Sequence, residues 1–142
     1  MIKPSQSQIW AVLSKEDDIH RVNYSLTAGF LGRLCLSGEI FDIPDENWQI
    51  TLEAIKLYGE ITPIIKDGYT RIIECTAEDY NDPTGYQIVL RELGDKALMI
   101  VHTFKDGANP PIDKYLDDYK IAKAFGSDLD GEFRGKAYLL EK

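Results

Sequence analysis

The sequence predicts an α+β fold in which two strand–helix units precede an antiparallel β-sheet. Three observations predict it. Up to about residue 66, short apolar runs alternate with stretches of helical period. From Gly68 onward the apolar positions recur with period two, and turn clusters separate the runs. Neither half contains an internal repeat or a low-complexity stretch. The length of 142 residues and the 44% hydrophobic content suit one domain, or one small domain with an appendage, and allow a true core. The expected division is 1–66 for the β/α part and 67–142 for the β part.

Gln8-Ile9-Trp10-Ala11-Val12-Leu13 is a compact apolar run followed by charge, the pattern of a buried strand. Ser14 and Asp17 then make an S-x-x-D helix start. In the helix expected over about 17–33, Ile19, Val22, Leu26 and Phe30 share one face, and Tyr24, Ala28 and Leu31 line the other. Apolar on both sides implies burial on both sides, which points to a neighbour missing from so short a chain. Gly29 and Gly32 each cost about 1 kcal/mol in a helix interior, so close packing should compensate. Leu34-Cys35-Leu36-Ser37-Gly38 reads as a second strand. Pro44-Asp45-Glu46 opens a second helix, because proline suits the first turn and acids suit the positive end of the helix dipole. Trp48, Leu52 and Ile55 are its expected inner seam and Leu57 and Tyr58 its edge. It should stop near Gly59, with Pro63 barring continuation. Strand–helix–strand–helix is the repeat that builds parallel sheets and barrels. Two strands cannot close a barrel, so the pattern reads as truncated.

The strands expected after Gly68 are Tyr69–Cys75, Tyr86–Leu93, Lys96–Phe104, Tyr119–Phe125 and Phe133–Leu140. Leu93-Gly94-Asp95-Lys96 is tight enough for a hairpin. Asn109-Pro110-Pro111 and the run 126–131 are strong breakers, and the connection 105–118 has room for a further short strand. Such an array forms an antiparallel sheet or small sandwich with one face against the first half.

Sixteen basic and 24 acidic residues give a net charge of −8, which repels nucleic acid and anionic membranes; neither is an expected partner. No apolar run approaches the roughly 20 residues of a membrane span, and Met-Ile-Lys-Pro-Ser-Gln is not a secretory leader. Compartment is left open. Cys35 and Cys75 sit among apolar neighbours and read as buried free thiols, with a disulfide between them as the alternative. His20 and His102 are far apart and unclustered, so no metal site is expected, and His102 reads as structural. Asp128-x-Asp130-Gly131-Glu132 lacks the spacing of a calcium loop and reads as a turn. Asn23-Tyr24-Ser25 is a glycosylation sequon placed inside a helix. Trp10 and Trp48 read as core, and the acid pairs Asp17/Asp18, Asp45/Glu46 and Asp117/Asp118 as capping or solvated groups.

Read in order, Tyr24-Ser25-Leu26-Thr27-Ala28-Gly29-Phe30-Leu31-Gly32-Arg33-Leu34-Cys35-Leu36-Ser37-Gly38-Glu39-Ile40 resembles the approach to the last barrel strand of melibiase-type α-galactosidases. Trp48-Gln49 and Glu53-Ala54-Ile55-Lys56-Leu57-Tyr58 resemble that family's final barrel helix, and Ile64-Ile65-Lys66-Asp67-Gly68 the crossing into its carboxy-terminal β-domain. The resemblance covers about residues 8–75. It implies the remnant of the last β/α units of a (β/α)8 barrel followed by a carboxy-terminal antiparallel sheet or sandwich. The family cleaves terminal α-galactosides with retention, using two carboxylates. Both belong to earlier strands, and no Lys-x-Asp or Asp-Pro-Asp stands in residues 1–40 to supply them. The implied chain is therefore non-catalytic, has no catalytic residue or cofactor, and meets carbohydrate only through a full-length parent. The ends of barrel strands carry substrate contacts, so Ser37, Gly38 and Glu39 are the implied substrate-binding residues, with Glu39 where the family more often has Asp. A cut barrel should leave one apolar side of the 17–33 helix bare and drive homo-oligomerisation. The rival reading is an independent carbohydrate-binding or interaction module, with Tyr69, Tyr80, Tyr86, Tyr115 and Tyr119 as a stacking platform. A stand-alone enzyme ranks last, since no nucleophile, base and orienter fall at usable spacing.

Overall fold

The structure is a computed structural model that describes residues 2–142. Its elements are β1 (Gln8–Leu13), α1 (Ile19–Gly29), β2 (Arg33–Gly38), α2 (Asp45–Asp67), β3 (Tyr69–Cys75), β4 (Tyr86–Leu93), β5 (Lys96–Thr103), the single turn α3 (Asp113–Leu116), β6 (Lys120–Gly126) and β7 (Gly135–Glu141). Short 3-10 turns at Pro4–Gln6 and Ile40–Asp42 precede β1 and α2. The class is α+β. β1 and β2 pair in parallel, from Gln8 opposite Arg33 to Leu13 opposite Gly38. The other five strands form one antiparallel sheet of order β3-β4-β5-β7-β6, a single sheet rather than a sandwich.

The helices lie between the two sheets. Ala11 and Leu13 from β1 join Val22, Leu26 and Phe30 of α1, Leu57, Ile61 and Ile64 of α2, and Leu98, Ile100 and Leu139 of the large sheet in one core. That core spans the 66/67 boundary. α1 passes so close over β7 that a Cβ on Gly135 would lie 2.9 Å from the Tyr24 Cα. The helix with apolar residues on both sides is thus covered on both sides by its own chain, and the expected bare side does not exist. Its true limits are Ile19–Gly29, and Asp18 caps it by accepting the Arg21 N–H. Asp17 instead accepts from the Ser14 N–H, turning the chain just before the helix.

α2 overrides two sequence signals. It runs 23 residues, through Gly59 and Pro63. Ile61, Ile64 and Ile65 beyond Gly59 are buried, and their packing holds the helix together across a proline that withdraws one N–H and crowds the carbonyl of the preceding turn. The carbonyl that loses its donor belongs to Gly59, which is exposed. The buried seam is also rotated. Asn47, Thr51, Ala54 and Leu57 face inward, while Leu52 and Ile55 are exposed and Trp48 is half-buried. Asn47 and Thr51 tolerate this because their side chains donate to the Asp17 and Asn47 carbonyls, both at 2.8 Å.

The far face of the large sheet has its own cover. Ile112, Tyr115, Leu116 and Tyr119 from the connection that leads to β6, with Leu129, pack on Ile88, Leu90, Met99, Val101, Tyr138 and Leu140. This connection contains the one-turn α3 where the sequence left room for a strand.

Candidate interaction face

Side chains along a strand alternate between faces. Ile9, Ala11 and Leu13 with Leu34 and Leu36 therefore turn toward α1, and Gln8, Trp10, Val12, Arg33, Cys35 and Ser37 turn away. Trp10 is 60% exposed and Val12 54%. The expectation that Trp10 is core fails because strand phase puts its small neighbour Ala11 on the helix instead. Cys35 is half-buried on the same outer face and Cys75 is exposed; both thiols are free, and neither is deeply buried as expected. Among the described residues no third strand joins β1 and β2; on the outer edge of β2 the Leu34 N–H is met by the Tyr58 hydroxyl at 3.3 Å. Parallel sheets are ordinarily covered on both faces. This one is covered on one.

The residues expected to bind substrate lie at the carboxy end of this pair. Ser37 stands opposite Val12, and Gly38 opposite Leu13. Gly38 has φ +92°, and a Cβ there would meet the Leu13 carbonyl oxygen at 2.2 Å, so only glycine fits. Glu39 accepts from the Ser14 hydroxyl at 2.9 Å and the Lys15 N–H at 3.3 Å. The Ser14 bond is the main reason its carboxyl ionises more readily than an ordinary glutamate. One carboxylate oxygen thus clamps the β1–α1 loop onto the end of β2. Immediately after it, the chain exposes Phe41 almost completely, at 95%. Phe41 rims a hollow of about 410 Å³ with Ile40, Ile43, Asp45 and Trp48.

Two carboxylate clusters on the far face of the large sheet were not anticipated. Glu92 accepts from the hydroxyls of Tyr119 and of Tyr69 (2.7 Å) and from Arg71 (3.0 Å), with Lys142 Nζ 3.6 Å away. Those bonds, Tyr119's first, hold its carboxyl down at about 2 although the side chain is nearly buried. Burial and this carboxylate push Tyr119 up to about 12. Glu74 accepts from the hydroxyls of Tyr115 and of Tyr86 (2.5 Å) and from Lys114 (2.9 Å), which likewise hold it at about 2. Tyr69, Tyr86, Tyr115 and Tyr119 therefore bind carboxylates with their hydroxyls, and the last three pack their rings against the sheet. Of the five tyrosines expected as a stacking platform, Tyr80 alone makes no such bond. One tyrosine and one glutamate on each of β3 and β4 was the one signal of these clusters in the sequence. Their partners Tyr115 and Tyr119 come from a loop.

His102 is structural, as expected. It is buried on β5 with Nε2 3.0 Å from the Thr27 hydroxyl, and burial pulls its pKa down to about 4. His20 Nδ1 lies 2.8 Å from the Ser127 hydroxyl, which also accepts from Asn23 Nδ2 at 3.2 Å. Among the described residues no carboxylate hydrogen-bonds His20, and the contact ties the start of α1 to the β6–β7 loop. Asn23, the sequon residue, is buried in that tie. The described residues contain no cluster of three or more potential metal ligands, and no helix is long and apolar enough to cross a membrane. No protein-family model, curated protein or solved structure matches the chain.

Proposed function

We propose that this chain is a non-catalytic unit whose β1–β2 pair is continued by parallel strands of further protein, in the manner of the closing end of an α-galactosidase-type barrel. The observation that carries the proposal is the two-stranded parallel sheet with helices on one face, a bare face bearing Trp10 and Val12, and, among the described residues, no third strand on either edge. The placement of both helices supports it. α1 lies behind β1, and α2 lies on the same side, where the Tyr58 hydroxyl accepts the Leu34 N–H at 3.3 Å. A barrel wall keeps its helices on one face, whereas a doubly wound sheet uses both. In this reading Ser37, Gly38 and Glu39 sit at the barrel mouth, and carbohydrate is bound by the complete protein. A tyrosine stacking platform on the β-face is less well supported, because four of its five members already use their hydroxyls.

Three measurements test the reading. The purified chain should not turn over an aryl α-galactoside; turnover abolished by Glu39→Gln would overturn the non-catalytic assignment. At high concentration, light scattering should give a dimer or larger species that Trp10→Asp returns to monomer. A monomer throughout would count against the open sheet as an association face. The coding sequence upstream of Met1 should continue in frame through a barrel carrying two strand-end carboxylates, and a different upstream fold would remove the glycosidase part of the proposal.

A further inference from the structure

We infer that Arg91 forms the floor of a binding pocket for a small monocarboxylate. Arg91 lies on β4 on the face turned toward the helices and is 4% exposed. Its Nη1 donates to the Thr70 hydroxyl at 2.6 Å, and its Nη2 donates to the carbonyls of Gly68 (2.6 Å) and Ile65 (3.3 Å). A guanidinium has five N–H donors. Three are engaged here, and the buried Nε has no acceptor. Among the described residues no carboxylate pairs with Arg91. Its neighbour Glu92 faces the opposite side of the sheet and is held by Arg71, Tyr69 and Tyr119. Asp67, at the end of α2, is exposed and makes no ion pair.

A buried cation without a counter-charge is costly, and burial alone makes Arg91 easier to deprotonate. The carboxy end of α2 offsets part of the charge, since its unpaired carbonyls carry about half an elementary negative charge. Arg91 also lines a hollow of about 290 Å³ with Ile2, Lys3, Pro4, Gly68 and Thr70. Both charged residues in the lining are cations. Ile2 and Pro4 supply apolar wall, so the pocket suits an anionic group on a small apolar body. The carbonyls of Ile65 and Gly68 beside the guanidinium disfavour a second negative charge, which selects a carboxylate over a phosphate dianion. This site is separate from the β1–β2 face and does not depend on the proposed function.

The test is a titration of the isotope-labelled full chain followed by NMR, with benzoate in one arm and inorganic phosphate in the other, at matched ionic strength. Benzoate should shift the Gly68 and Thr70 amides and the Arg91 Nε–H along a saturable curve, and phosphate should be several-fold weaker. Lys3 is exposed, so Lys3→Ala should keep the fold and weaken benzoate by roughly twofold to fivefold, as for a surface charge. Arg91→Lys, if folded by circular dichroism, should lose the response; if it does not fold, Lys3→Ala decides. No saturable shift with either anion would leave Arg91 as a helix cap alone and overturn the inference. A benzoate response unchanged in Lys3→Ala would do the same, and saturation by phosphate but not benzoate would overturn the ligand class.

Discussion

The two sheets are built by different rules. The five-stranded sheet is covered on one face by the helices and on the other by the segment from Ile112 to Tyr119. Its open edges carry Arg71 and Glu74 on β3 and Lys120 and Lys123 on β6, charges that discourage edge-to-edge pairing. The two-stranded sheet has one covered face, and Trp10 and Val12 on the other. Antiparallel neighbours such as β4 and β5 find one another through a tight turn, here with Gly94 at positive φ. A parallel pair needs a helical crossover, so β1 and β2 meet only through α1. The large sheet is complete within the chain. The small one is held by its helix and left open on the side away from it.

Four measurements sharpen or break this contrast. Phe30 is fully buried between the rings of Tyr58 and Phe125, and so joins α1, α2 and the large sheet. Phe30→Ala should cost about 3–5 kcal/mol and keep a single urea transition. Two separate transitions would mean that the sheets do not share one core. Gly38→Ala forces a side chain into the left-handed region and against the Leu13 carbonyl, a cost of about 1–3 kcal/mol. Hydrogen exchange should rise first in β1 and β2; equal loss across the large sheet would break the distinction.

Acidification should act on the large sheet in two steps. His102 has a folded pKa of about 4, below the ordinary histidine value of 6.5, so the unfolded chain binds the extra proton and stability falls as pH drops from about 6.5 to 4. Glu92 and Glu74, held at about 2 against an ordinary glutamate value of 4.5, add a second loss as pH falls from about 4.5 to 2. Denaturation midpoints across this range should show both steps, and Glu92→Gln should shrink the lower one. The smallest stability effect is expected at Trp10→Asp, within about 0.5 kcal/mol for the monomer, because the side chain is already exposed. A larger loss would mean that this face is not open.

Strand and helix order were legible in the sequence because they follow from local period. Gln8–Leu13, Tyr69–Cys75 and Tyr86–Leu93 appear within their expected bounds, and the β/α order and antiparallel array stand. Local rules misled at Pro63, where packing of Ile61, Ile64 and Ile65 outweighs a missing N–H, and at Trp10, where strand phase decides the face. Of the expected site, the sequence located Ser37, Gly38 and Glu39 at a strand end, but it could not foretell that Glu39 is engaged by Ser14 and Lys15. The tyrosine–glutamate clusters and the uncompensated Arg91 were invisible to it. Each joins residues that lie tens of positions apart, and only the folded chain fixes whether a charge meets a partner, water or an empty hollow. Composition and periodicity thus determined the elements. Tertiary structure decided which faces they bury, because burial is settled by what lies across the core rather than by what lies next in the chain.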